Sequence, residues 1–320
     1  MCLYKLGPGV VAFKVVIDAF EASGMKYTAS NENVIWAKRA TTYILSHLGP
    51  YQKVNHFPGT WGIGRKDSLA TNIQKMQRYF IPMTFLLPKQ RSQLEDYVNE
   101  NPDSADDPLI FIVKPSASSC GRGIRLYRGM PPMPTGSKNV CQRYVGNPMM
   151  IFGRKFDLRL YCVVTSFDPL RIYIFDEGLV RFAAQKYPGM DLDNVQKHLT
   201  NYSVNKTAEL NRASRGCLSD LREFLDKNVE NGRRVWEKVL SSCDDVVIKA
   251  FLSIEHEVVE RLRKGCFELY GLDLMADDQY NVRLIEVNIM PSLATGTPLD
   301  KAVKSRMLAH LLTLIRVVPH

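Results

Sequence analysis

Paired cysteines, long apolar runs and the commonest nucleotide-binding signatures are all missing from this sequence. Its seven cysteines never stand as CxxC, which argues against a zinc ribbon or knuckle, and the odd number argues against a full disulfide framework. A reducing compartment is expected. No apolar stretch reaches the roughly 18 residues needed to span a bilayer. The opening "MCLYKLGPGVVAFKVVIDAF" holds an apolar patch broken by Lys14 and Asp18 and lacks a small-residue cleavage site. It reads as a first strand and helix rather than a signal peptide, so a soluble, cytosolic protein is expected. There is no low-complexity segment, no internal repeat, no GxxxxGK[ST] loop, and no kinase catalytic loop or DFG. Nor is there an RRM, KH or zinc pattern to join to a basic surface.

What remains is an ordinary globular composition: 320 residues, 45% hydrophobic and 23% charged, long enough for two or three packed lobes. The net charge is +9 and the pI near 9.1. Such a field attracts polyanions: nucleic acid, acidic membrane or an acidic protein tail. Generic solubility also explains it, and charge alone does not choose.

Phe13–Thr28 reads as a short strand and helix, Val34–Lys38 as a strand, and a helix is expected to begin near Asp67 or Ser68 as N-cap. Residues 99–108, "NENPDSADDP", read as a surface loop, and "LIFIVKP" as a buried strand carrying Lys114. "KFDLRLYCVVTSF" and "LRIYIFDEGLVRFA" are strand patterns. Residues 218–264 are helical, with apolar positions three and four apart. "FELYGLDLMADDQYNVRLIEVNI" reads as two strands joined by "ADDQYN", and "KAVKSRMLAHLLTLI" as an amphipathic helix. Strands and helices without regular alternation argue α+β rather than a doubly wound sheet.

Several charged residues stand on these strands. In "RLIEVNIMPSL", Glu286 and Asn288 are two apart and share a strand face. If "ELYGLDLM" pairs antiparallel with that strand, Asp273 joins them. Two carboxylates and a carboxamide are hard oxygen donors that suit Mg²⁺; the alternative is a hydrogen-bonded surface hairpin without an ion. Lys155, Asp157 and Arg159 alternate along "KFDLRLY", opposite Phe156, Leu158 and Leu160. Alternation alone favours a solvated face. The company shifts that reading: Arg181 in "GLVRFA", and Lys114 followed by a small-residue loop with Gly121 and Gly123 that can lay N–H groups over phosphate. Together they describe Mg-ATP held between two sheets, an arrangement that resembles the ATP-grasp type.

"VNHFP", "GRKD", "VKPSASSCGRGI", "KFDLRLYCVVTSFDPLRIY", "GLVRFA", "HLTNYSVNK", "CFELYGLDLM" and "LIEVNIMPSL" resemble the tubulin tyrosine ligase-like family, from about Val54 to the end. "FELYG", the later Pro-Leu-Asp and "ASSCGRG" look most like its glutamylase branch. The resemblance implies an ATP-grasp-like fold with mainly antiparallel sheets, in an N-terminal lobe over residues 1–70, a central lobe over 71–146 and a C-terminal catalytic lobe over 147–320. It implies an ATP- and Mg²⁺-dependent ligase that adds free L-glutamate to side-chain carboxylates of acidic tubulin C-terminal tails, or of another Glu-rich protein, through an acyl phosphate. By the same resemblance Lys66, Lys114, Cys120, Gly121, Gln142, Arg143, Tyr144, Val145, Lys155 and Asp157 would hold ATP, with His198, Leu199, Thr200 and Asn201 of "HLTN". Asp273, Glu286 and Asn288 would hold magnesium. Arg159, Arg181 and Glu286 would carry the chemistry, and Arg181, Tyr202, Ser203 and Lys206 would receive glutamate.

Phosphoryl transfer needs positioning and charge neutralisation rather than a protein nucleophile, which accounts for basic residues and oxygen donors without a Ser-His-Asp set. Cys120 stands where many relatives have Arg. The chain ends soon after its last helix, so no basic extension for gripping a microtubule is expected. The implied location is the cytoplasm and its microtubules, cilium, flagellum or basal body included. A monomer is expected, with neither nucleic acid nor membrane as partner. The competing readings are a glycine or tyrosine ligase of the same family and an inactive tail-binding adaptor.

Overall fold

The computed structural model describes residues 1–76, 80–104, 108–116, 121–133, 138–187, 192–200, 215–261 and 264–317. The first of three sheets is parallel: β1 (Leu3–Leu6), β2 (Lys26–Tyr27), β3 (Val34–Trp36) and β4 (Lys53–Val54), in the order β2-β1-β3-β4. The strand-like run after Phe13 is helical instead, from Lys14 to Ala22. Its Val16 and Phe20 are four apart and so share a face. Phe20 stacks on Tyr4 with ring centroids 4.4 Å apart and meets Trp36 edge-on, a tertiary contact that decides between helix and strand.

The second sheet is antiparallel, β5 (Thr84–Leu87), β6 (Ile110–Pro115), β7 (Arg125–Arg128) and β8 (Asn139–Arg143), ordered β5-β8-β6-β7. The helix Lys66–Lys75 packs on it. That helix starts one residue before the expected cap: Arg65 is its N-cap, and Asp67 in the first turn accepts from Ser68 N–H and from Arg65. Its Asp67 and Lys75 sit at the ends that suit the helix dipole.

The third sheet is the spine of the molecule: β9 (Met150–Ile151), β10 (Arg154–Phe167), β11 (Leu170–Phe182), β12 (Arg215–Cys217), β13 (Glu268–Ala276) and β14 (Val282–Asn288). Its order is β12-β11-β10-β13-β14, antiparallel throughout, with β9 against the start of β10. Phe156, Leu158, Leu160, Cys162 and Val164 of β10 join Leu272 and Leu274 of β13 in one core with the helix Gly232–Leu252. Each such side chain contributes roughly 1.5–3 kcal/mol by leaving water. The opposite face is apolar from Tyr161 onward, where the helix Pro298–Leu314 and the first sheet cover it. At the near end of that face stand Lys155, Asp157 and Arg159. The expected helical stretch after residue 218 is three helices, Leu218–Asn228, Gly232–Leu252 and Glu255–Val259, the first break falling at Asn231 in the left-handed region (φ 55°). Among the described residues no helix is long and apolar enough to cross a membrane.

Candidate active site

A cleft, roughly 800 Å³ of empty space when the open solvent at its mouth is counted, lies between the second and third sheets. From one side β6 contributes Ile112 and Lys114, two apart and so on one face, and β8 contributes Gln142 and Arg143. Lys114 is buried and its ammonium donates to Gln142 Oε1 at 2.8 Å; the Gln142 amide in turn donates to Thr84 Oγ1 at 2.9 Å. The lysine is thus aimed through two neighbouring strands. Gly121 and Gly123, at φ 72° and 73°, adopt the left-handed backbone that favours glycine, and Gly121 lines the cleft. Arg143 donates to the carbonyl of Pro108 at 2.8 Å, so part of its side chain anchors the approach to β6.

From the other side β10 presents Lys155 and Asp157. The Lys155 ammonium is buried 3.9 Å from the centroid of the Tyr144 ring and 5.7 Å from that of Tyr187, and it donates to the Val145 carbonyl at 3.4 Å. Burial, with repulsion from Lys114, brings Lys155 down to about 7; burial also brings Lys114 down to about 8, although Glu286 opposes the shift. Both lysines are desolvated, and among the described residues neither ammonium makes an ion pair at contact distance. Tyr144 OH and His198 Nδ1 are 2.8 Å apart, and Leu199 is buried with Ile110, Ile112 and Tyr144.

Register explains the rest. Arg159 is the direct ladder partner of Asp273, and Arg181 that of Asp157. Arg159 forks onto Asp273, with Nη2 3.0 Å from Oδ2, while Arg181 bridges Asp157 (2.6 Å) and Asp273 (2.7 Å). Thr200 donates to Asp157. Burial alone would raise the Asp273 carboxyl, but Arg159 and Arg181 hold it well below the usual carboxylate range. Burial raises Asp157, against the pull of Arg181. Gly271 permits this packing: a Cβ there would fall 3.1 Å from Arg159 Cδ and 2.9 Å from Pro291 Cβ.

Asp273 is opposite Glu286 and Gly271 opposite Asn288 in the β13–β14 ladder. The ladder slips by one residue between the pairs Asp273–Glu286 and Leu274–Leu284, leaving Ile285 as a bulge. Ile285 and Glu286 therefore both line the cleft although they are adjacent in sequence. Glu286 Oε2 is 3.3 Å from the Lys66 ammonium, and the Asn288 amide lies 3.4 Å from Glu286 Oε1 and 3.3 Å from the Gly271 carbonyl. Two carboxylates in facing register repel unless positive charge stands with them. Lys66, Arg159 and Arg181 supply that charge here. Asp273, Glu286 and Asn288 are hard oxygen donors of the kind a small divalent ion takes, although both carboxylates are already paired with these cations and among the described residues no group of three His, Cys, Asp or Glu could hold a metal ion.

Lys66, Lys114, Gly121, Gln142, Arg143, Tyr144, Val145, Lys155, Asp157, Arg181, His198, Leu199, Thr200, Asp273 and Glu286 all line this one cleft. Arg159 sits behind Asp273, and Asn288 behind Glu286. Cys120, Asn201, Tyr202, Ser203 and Lys206 lie outside the described residues. Sequence reasoning missed the apolar walls Ile112, Met275 and Ile285. Met275 stands two residues from Asp273 and Ile112 two from Lys114, a spacing that was open to reading; the bulge at Ile285 carries no such signal.

The family described as "Tubulin-tyrosine ligase family" matches residues 44–320, beginning earlier than the Val54 expected from the motifs. A tubulin polyglutamylase of Caenorhabditis elegans is 39% identical over 302 residues, covering 88% of this chain and 49% of the relative. A tubulin monoglutamylase of Homo sapiens is 36% identical over 326 residues, 94% of this chain and 26% of the relative. A tubulin polyglutamylase of Mus musculus is 34% identical over 328 residues, 93% of this chain and 38% of the relative. The chain thus spans about half or less of the length of these curated relatives. By a match that takes in every strand of the cleft, the chain belongs to the tubulin-tyrosine ligase family.

Proposed function

We propose that the cleft binds Mg-ATP between two ATP-grasp-like lobes and that the chain ligates glutamate onto side-chain carboxylates of acidic tubulin C-terminal tails. The lobes are residues 71–146 and 147–320, with 1–70 as the N-terminal lobe. The observation that carries this reading is the pair of buried lysines, Lys114 on one wall and Lys155 on the other, lining one cleft with the Asp273–Glu286 ladder pair. Lys66, Lys114 and Lys155 bind phosphate oxygens, and Gln142 with Thr84 orients Lys114. Ile112, Leu199, Met275 and Ile285 form an apolar slot for a planar base. Asp273, Glu286 and Asn288 would hold magnesium, which when bound neutralises phosphate charge during transfer.

ATP converts the acceptor carboxylate to an acyl phosphate, and the amine of free glutamate displaces phosphate to give an isopeptide bond. Arg181 would hold a reacting or donor carboxylate with the N–H groups left over from its pairs with Asp157 and Asp273. The names of the relatives, polyglutamylase and monoglutamylase, support glutamate as donor and tubulin as acceptor, and hence work at microtubules in the cytoplasm. The test is incorporation of labelled glutamate, glycine and tyrosine into tubulin with ATP and magnesium. Mass spectra showing added glutamate on the tails are expected; added glycine or tyrosine without glutamate would sink the assignment.

A further inference from the structure

A second groove runs behind the helix Lys66–Lys75, back to back with the cleft. Lys66 and Pro115 line the cleft, while the next residues, Asp67 and Ser116, line the groove. It encloses roughly 1510 Å³ including open solvent, room for several residues of extended chain. Four cations stand along it: Lys75 on the helix, Lys89 after β5, Lys138 before β8 and Arg261 after the helix Glu255–Val259. Lys89, Lys138 and Arg261 have no ion-pair partner among the described residues, whereas Asp67, one of two carboxylates in the groove beside Glu257, is held by Arg65. Ser116 forms part of the groove wall. It is 6% exposed, and its Oγ is among three buried side-chain polar atoms that lack a hydrogen-bond partner among the described residues.

We propose that this groove docks an acidic segment of the acceptor chain, its carboxylates met by Lys75, Lys89, Lys138 and Arg261. The proposal rests on the ligase reading for the identity of the chain that brings the acidic segment. Unpartnered cations on separate elements suit a flexible chain with several carboxylates better than a single small anion.

The test titrates a labelled deca-glutamate peptide into the full chain, with ATP affinity measured separately as a check on folding. Reversing Lys89→Glu together with Lys138→Glu should weaken the peptide at least about tenfold and ATP less than about twofold. Peptide affinity that stays within about twofold in the double variant overturns the proposal, as does tighter binding of an equally charged oligodeoxynucleotide. If the chain ligates no amino acid yet binds the peptide through these residues, the ligase reading falls and the groove stands. If ligation proceeds with a peptide KM unmoved by the reversal, the groove falls and the ligase reading stands.

Discussion

Lys155 and Lys114 are the residues whose chemistry is most exposed to test. Both are buried and brought down from the ordinary lysine range, Lys155 to about 7 and Lys114 to about 8. At pH 8 most of the first and about half of the second are neutral. A polyphosphate between them favours their charged forms, so the bound state holds more protons than the free state. ATP binding at pH 8 should therefore take up about one proton, read as an apparent binding enthalpy that changes with the ionisation enthalpy of the buffer. An enthalpy independent of buffer would mean that the triphosphate does not reach these lysines. Glu286 makes a second prediction. Glu286→Gln keeps the shape and removes a charge opposite Asp273, so ligation should fall by about 100-fold or more while the fold persists. Near-normal turnover in that variant would remove Glu286 from the metal site.

Elements, rather than single residues, decide how much of this was legible in advance. The β13–β14 hairpin was readable, because two apolar runs flank a polar turn and a two-residue spacing puts Glu286 and Asn288 on one face. The charged face of β10 was readable for the same reason, although alternation could not tell a cleft from solvent. The pairing of Arg159 with Asp273 was not: the two are 114 positions apart, and the register between their strands is set by packing of the whole sheet. The parallel first sheet was equally hidden, since strands of two to four residues leave no periodicity to read. The last helix starts at Pro298, three residues before the expected Lys301, and the signal was available: Thr297 caps Asp300 N–H at 3.1 Å with proline in the first turn. Asp300 in that turn is also buried against Arg215 of β12 and Lys304. Asp300→Ala leaves those cations without their carboxylate and should lower stability by about 3–5 kcal/mol in urea unfolding, against about 1 kcal/mol for Thr297→Ala. Equal losses in the two variants would mean that Asp300 acts only through the cap.

Across the whole molecule, one buried contact ties the first sheet to the third. His56 stands just after β4; its Nδ1 is 2.6 Å from Glu268 Oε1 on β13 and its Nε2 is 3.0 Å from the Ala37 carbonyl just after β3. Phe57 N–H and Tyr270 OH donate to the other carboxylate oxygen, so Glu268 is fully buried yet satisfied. The N-terminal strands are thereby fixed to the strand that carries Asp273, five residues further along β13. Around this rigid frame the net charge is +9. A field of that sign draws an acidic chain toward the surface before any side chain touches it, and salt screens it over about 8 Å at physiological ionic strength. If the acceptor is an acidic tail, association should slow and affinity should fall steeply between low and high salt, while ATP affinity, set by buried groups in the cleft, changes less. Stopped-flow binding of a polyglutamate peptide across a salt series measures both effects. Tail affinity that holds constant over the series would assign recognition to apolar contacts and leave the surface charge to solubility alone.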